Sequence, residues 1–178
     1  MQERDPKTGK PVASSAGKFL GWNTIYGRDG EHGTPYMTRV WFWGLRLHIF
    51  HRPDLDEDCH DHPWDFTTFP IWPIHGYVEE IVLPTAGADK FLKWRQRVPS
   101  FRFSFRPATH CHRVLGAYDK RRSTWEDPRE DPSRKIVTLV WRGKANRAWG
   151  FLKNREGKWC WVGWRDYVFA GGKDGPCQ

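Results

Sequence analysis

Four of the chain's eight histidines stand in two doublets, His60 and His62 in CHDHPW and His110 and His112 in ATHCHR. Successive side chains of a β-strand alternate faces, so each H-x-H doublet sends both imidazoles to one side, close enough to share an ion. Imidazole nitrogen suits borderline transition cations, whereas Ca²⁺ and Mg²⁺ prefer oxygen. Three protein ligands would leave coordination positions open, as catalytic sites do and closed structural sites do not. The competing reading is a hydrogen-bonded surface network of these histidines with Asp61 or Asp65.

Around the doublets stand residues that could serve a ligand. Arg106, Arg113 and Arg142 flank the motif strands, where a guanidinium could hold a carboxylate or phosphate. Trp64 and other strand tryptophans could stack on a sugar or a base, although strand aromatics are more often core. His110 shares a face with His112 and is a candidate acid or base beside it, or a rim residue. Cys59 and Cys111 are one residue out of phase with the histidines and should face away from them as packed thiols; if they share that outer face they could approach each other. The chain has no phosphate loop, no dinucleotide fingerprint, no nucleophile elbow and no H-E-x-x-H helix, so nucleotide hydrolysis and serine-type acyl transfer drop out.

The elements that must position these groups read as short strands. The chain has 178 residues, 38% hydrophobic and 16% aromatic with twelve Trp, and a mean hydropathy of −0.77, which describes one polar-surfaced domain closed by aromatic area. Residues 1–18 are poor in apolar side chains and read as a flexible arm, 19–170 as one domain, and 171–178 as a tail. YMTRVWFWGLRLHIF reads as two strands broken at Gly44, HDHPWDFTTFPIWPIHGYVEEIVL as short or bent strands punctuated by Pro63, Pro70, Pro73 and Gly76, with further strands in FLKWRQRV, SFRFSFRP, KIVTLVWRG, RAWGFLK and KWCWVGW. In SFRFSFRP the alternation gives Phe101, Phe103 and Phe105 one apolar face, and NREG reads as a hairpin turn. Trp141 lies on a strand read as core. Residues 118–135 read as a charged exposed loop able to close over a site. Ten or so short strands without long helices imply an all-β antiparallel sandwich or barrel.

HDH at 60–62, followed by an aromatic-rich strand and Gly76, and then PATHCH at 107–112, resembles the two short motifs of the cupin superfamily. Pro107, Thr109 and His112 stand at the positions of P-x-G-x-x-H, with Thr in place of Gly. The wider pattern of H-D-H-P-W, G-Y-x-E-E and a late W-G-F is similar to cupin-like proteins of bacteriophage and bacterial genomes. The resemblance covers roughly residues 40–150 and implies a small antiparallel β-barrel, a double-sheet jelly roll, with His60, His62 and His112 around one metal in its mouth. No glutamate stands where the first motif has one, so Asp65 is the nearest candidate for a fourth ligand, with Glu79 or Glu80 further along.

The expectation is a mononuclear non-haem metal oxygenase acting on a small polar or anionic metabolite. Its ion would be one divalent transition metal, Fe²⁺ first, with Zn²⁺, Ni²⁺ or Mn²⁺ as others. His110 and Arg113 are the catalytic candidates, and Arg106, Arg142 and Trp64 the substrate-binding ones. The alternatives are a sugar isomerase or epimerase, or a non-catalytic barrel that binds carbohydrate or nucleic acid; the net charge of +8 suits an anionic partner, but its charges are mixed along the chain, so nucleic acid is possible and not favoured. A homodimer is implied by the resemblance alone. The start lacks the apolar stretch of a secretory signal and no apolar run is long enough to span a bilayer, so a cytoplasmic protein with reduced cysteines and no membrane partner is expected, in a bacterial or phage-infected cell.

Overall fold

The computed structural model describes residues 19–26, 34–85 and 90–177; the expected arm at 1–18 lies outside the described residues. Thirteen strands are found among them: β1 (Leu20–Tyr26), β2 (Pro35–Phe42), β3 (Leu45–Phe50), β4 (Cys59–His60), β5 (Phe66–Trp72), β6 (Tyr77–Pro84), β7 (Phe91–Val98), β8 (Ser104–Arg106), β9 (His112–Tyr118), β10 (Glu130–Asp131), β11 (Ile136–Arg142), β12 (Gly150–Arg155) and β13 (Lys158–Gly163), then one short helix α1 (Trp164–Phe169). They form two sheets, ordered β1-β2-β3-β11-β5-β8 and β13-β12-β4-β9-β6-β7, with β10 added to β9. Every pairing is antiparallel. This is the all-β double-sheet jelly roll expected. Among the described residues no helix is long and apolar enough to cross a membrane.

The core forms where the inner faces meet. Tyr77, Val98, Val114 and Ala117 from one sheet bury against Ile136 and Phe50 from the other, which removes a continuous apolar area from water. A second buried cluster, Cys59, Val82 and Cys111 with Leu152 and Trp159 beside them, lies on the other face of β4, β6 and β9. Burial on both faces explains why β6 is hidden over Tyr77–Val82 and reads as an unbroken apolar run apart from its two glutamates. The hairpin between β12 and β13 turns at Glu156 and Gly157, both with positive φ, as a two-residue primed turn requires.

Several expectations are corrected. Trp141 is not core: it is 53% exposed on the outer face of β11, edge-on to Trp43, because Ile136, Thr138 and Val140 occupy the inward positions. Of the expected strand over 101–106 only Ser104–Arg106 forms, and its inward face is the polar one. Phe103 and Phe105 are exposed while Arg106 is buried, since Arg106 reaches a buried carboxylate, which satisfies a charge no phenylalanine could. Residues 119–129 are not among those lining the cavity beside the histidines. They follow the far end of β9, whose first residue is His112, about 20 Å away at 3.3 Å per residue, and are tied down by β10 on β9 and by the Arg95–Glu130 ion pair. Cys160 and Cys177 form a disulfide, whereas Cys59 and Cys111 are free and buried. The 171–177 segment is held as well, for Lys153 donates from Nζ to the carbonyls of Gly172 and Gly175.

Candidate metal centre

The first histidine doublet converges with His112 of the second. Residue His60 ends β4 and pairs directly with His112 at the start of β9, so both imidazoles project from neighbouring strands to the inner face. His62 lies beyond the strand, yet its amide donates to the carbonyl of Ala108 (3.0 Å) and that of Asp61 to Gly150 (3.0 Å), which keeps the H-x-H segment extended. Asp61, between the two histidines, points the other way. Its Oδ1 accepts the Gly150 amide (2.7 Å) and its Oδ2 accepts Arg147 (2.7 Å) and the Trp161 indole (3.0 Å). That clamp fixes the strand end from behind, and nothing in the local sequence announces it.

The ring nitrogens of His60, His62 and His112 lie within 4.8 Å of one another and could hold an ion. His62 Nε2 and His112 Nε2 are 3.0 Å apart, about the separation of two nitrogens 2.1 Å from one ion at a right angle. His112 Nδ1 donates to Glu79 Oε2 (2.9 Å), which places the proton on Nδ1 and leaves the Nε2 lone pair facing the cluster. Burial, then its histidine neighbours, pushes His62 well below the usual imidazole range. Burial likewise lowers His60 to about 4 against the pull of Asp54. Both are therefore neutral at pH 7, the state in which imidazole binds a metal.

Glu79 is the hub behind this cluster. Its Oε1 accepts Arg106 (2.7 Å) and Gln96 (2.6 Å), and His110 Nε2 stands 3.6 Å from it. Burial works against its charge, but His110 nearby, the hydrogen bond from His112 and the Arg106 guanidinium hold the carboxyl well below its usual range. Glu79, His110 and His112 form a second group able to hold a cation. Its carboxylate oxygens already accept from three side chains, so Glu79 fits orienting His112 better than ligating.

The other candidates are dispersed. Arg113 follows His112 and so faces outward, where Nε donates to Glu80 (2.9 Å) and Nη1 to the Asp56 carbonyl (2.8 Å); strand alternation separates it from the cluster. Asp65 is in neither group, and its Oδ1 accepts the Ala108 amide (2.7 Å), pinning the turn that leads to His110. Arg106 is engaged by Glu79, and Arg142 lies over the Trp64 ring at 5.4 Å. Cys59 and Cys111 share the outer cluster, as their phase requires.

A cavity of about 100 Å³ opens beside the three histidines, room for a molecule of a few heavy atoms where one water needs about 10–15 Å³. Trp64 and Phe66 line it next to His62, and across from them Arg46 and His48 of β3 contribute to the wall. Neither residue was among the sequence candidates. The signal was present in LRLHIF, whose alternation places Arg46, His48 and Phe50 on one face; apolar character alone would have turned Leu45, Leu47 and Ile49 inward.

No protein-family profile matches the chain, and no curated protein matches it. Among solved structures, Fe(II)-HppE with the alternative substrate (S)-1-HPP is similar at 8% identity and a TM-score of 0.38, over 68% of this chain and 56% of that one. A recombinant oxalate oxidase in complex with glycolate is similar at 11% identity and 0.37, over 77% and 57%. The CENP-C cupin domain of Drosophila melanogaster is similar at 6% identity and 0.35, over 68% and 76%. The chain thus spans little more than half the length of the first two, and at these identities no residue role passes from them to this chain.

Proposed function

We propose that this chain binds one divalent transition metal, Fe²⁺ in the first instance, through His60, His62 and His112, and acts as an oxygenase on a small polar or anionic metabolite. The observation that carries the reading is the convergence of three imidazoles, His112 buried and His60 and His62 half-buried, the latter two held neutral by desolvation, on a cavity large enough for a small molecule. A bound ion would supply open positions at which O₂ and substrate meet, which makes their reaction effectively unimolecular.

The chain's own groups do the remaining work. Glu79 accepts the Nδ1 proton of His112 and so presents Nε2 to the ion. Arg106 balances the Glu79 charge. His110 stands behind His112, off the cavity wall, so its role in this reading is to position Glu79. Phe66 and Trp64 exclude water on the side of His62, which protects reactive species from side reactions.

Anaerobic reconstitution with Fe²⁺ tests the reading. Wild type should bind about one equivalent, His60→Ala and His112→Ala far less with the β-rich circular dichroism retained, and nitric oxide should give the paramagnetic signal of an iron site with an open position. Less than about a tenth of an equivalent in wild type would overturn metal binding. Full occupancy without a nitric oxide signal would overturn the oxygenase.

A further inference from the structure

Arg46 is 3% exposed, and its Nε and Nη1 are buried without a hydrogen-bond partner. Leaving a buried charge uncompensated is strongly destabilising, so proteins rarely keep one without a counter-charge. In register, Arg46 pairs with Val140 and Val140 with Thr68, which sets the guanidinium on the inner face of the six-stranded sheet. The next inward residue, His48, has Nε2 buried and likewise unpartnered. Both side chains line the cavity that His60, His62 and His112 line from the seven-stranded sheet.

The surrounding charges point one way. After burial, Arg142 and Arg39 are the groups that act on Arg46; together they lower it to about 10, so it remains a cation at neutral pH. His48 is held at about 3 by burial and then by Arg39 and Arg46 and is neutral. Asp54 is the one carboxylate among the described residues on the cavity wall. It is occupied by the Val114 amide (2.7 Å) and the Tyr36 hydroxyl. The wall opposite the histidines therefore presents a desolvated cation and a neutral imidazole with no protein anion to meet them.

We infer that Arg46, assisted by His48, forms an anion subsite that binds the carboxylate of a small organic acid, with the acid's other end directed at the three histidines. One guanidinium beside a neutral imidazole matches a monoanion, and a low-dielectric pocket strengthens the charge-assisted hydrogen bonds that hold it. A cavity of about 100 Å³ suits an acid of a few heavy atoms. The inference deepens the proposed function by naming its substrate class, and it rests on that reading only for the direction of the acid's far end.

The test uses metal-free full-length protein labelled with ¹⁵N at arginine Nε, titrated with acetate, pyruvate and inorganic phosphate. Acetate and pyruvate should shift one Nε–H signal, assigned to Arg46 by its loss in Arg46→Lys, and raise the melting temperature. Arg46→Gln should weaken the carboxylate response by about 10- to 100-fold while still taking up one equivalent of Fe²⁺. His60→Ala should keep the carboxylate response and lose the iron, so failure of the metal reading and failure of this one are distinguishable. Arg46→Met should melt higher than wild type in anion-free buffer, because an unmatched buried charge is removed. If Arg46→Gln or Arg46→Met does not fold, the wild-type titration decides. No Arg46 shift with either carboxylate at millimolar concentration, or a shift with phosphate alone, overturns the proposal.

Discussion

The ring of His112 is shared between two tasks: Nδ1 is committed to Glu79 and Nε2 faces His62. Replacing the carboxylate weakens the acceptor that fixes this tautomer, so Glu79→Gln should lower Fe²⁺ affinity by about 10- to 100-fold, as measured by chelator competition. Unchanged affinity would show that packing alone orients the ring. At this scale the sequence was informative in part. The two histidine doublets, His60 with His62 and His110 with His112, were legible because strand periodicity is local, and the family resemblance picked His112 from the second. The partners of Arg106, Arg113 and Asp65 were not, because each is met by a residue far along the chain: Glu79, Glu80 and Ala108.

Among the elements, β11 shows how a strand's faces are assigned by its neighbours. Its wide aromatic, Trp141, faces solvent, while Ile136 is 2% exposed and packs in the core between the sheets. Trp141→Ala should therefore cost about 1 kcal/mol, chiefly the edge contact with Trp43, and Ile136→Ala about 2–5 kcal/mol, read from urea midpoints. A larger effect at Trp141 would contradict the inward face described. The Cys160–Cys177 bridge ties the last described segment to β13. Its 17-residue separation predicts that reduction, or Cys160→Ser, destabilises by about 3 kcal/mol. An identical melting temperature with and without reductant would show that Lys153 and its two carbonyl contacts suffice. The strands themselves were legible from alternation and turn residues. Their inward faces were ambiguous wherever both faces carried large side chains, as in β3, β8 and β11.

For the whole molecule, the interior holds imidazoles that the unfolded chain would protonate more readily. His48 is held at about 3 and His60 at about 4, each chiefly by burial, against about 6.5 in an unfolded chain. Below about pH 6.5 the unfolded state therefore binds more protons than the native state, and stability falls as pH drops from there towards the native values. Glu79, held below its usual range, adds to the loss as pH falls through the unfolded carboxylate range. In metal-free, carboxylate-free buffer the melting temperature should decline steadily from pH 6.5 to pH 4. A flat or rising profile over that window would mean that these imidazoles are hydrated rather than desolvated.

The sequence by itself determined the all-β class, the approximate strand positions and two histidine doublets, because these follow from side-chain period and local spacing; singling out His112 from its doublet rested on the family resemblance. Only the tertiary structure decided that His60 sits in register with His112, that Glu79 stands behind them, and that Arg46 and His48 face the same cavity. Those relations arise from pairings between strands far apart in the chain and from the meeting of two sheets. Strand alternation says that two faces exist, and only packing decides which one is inside.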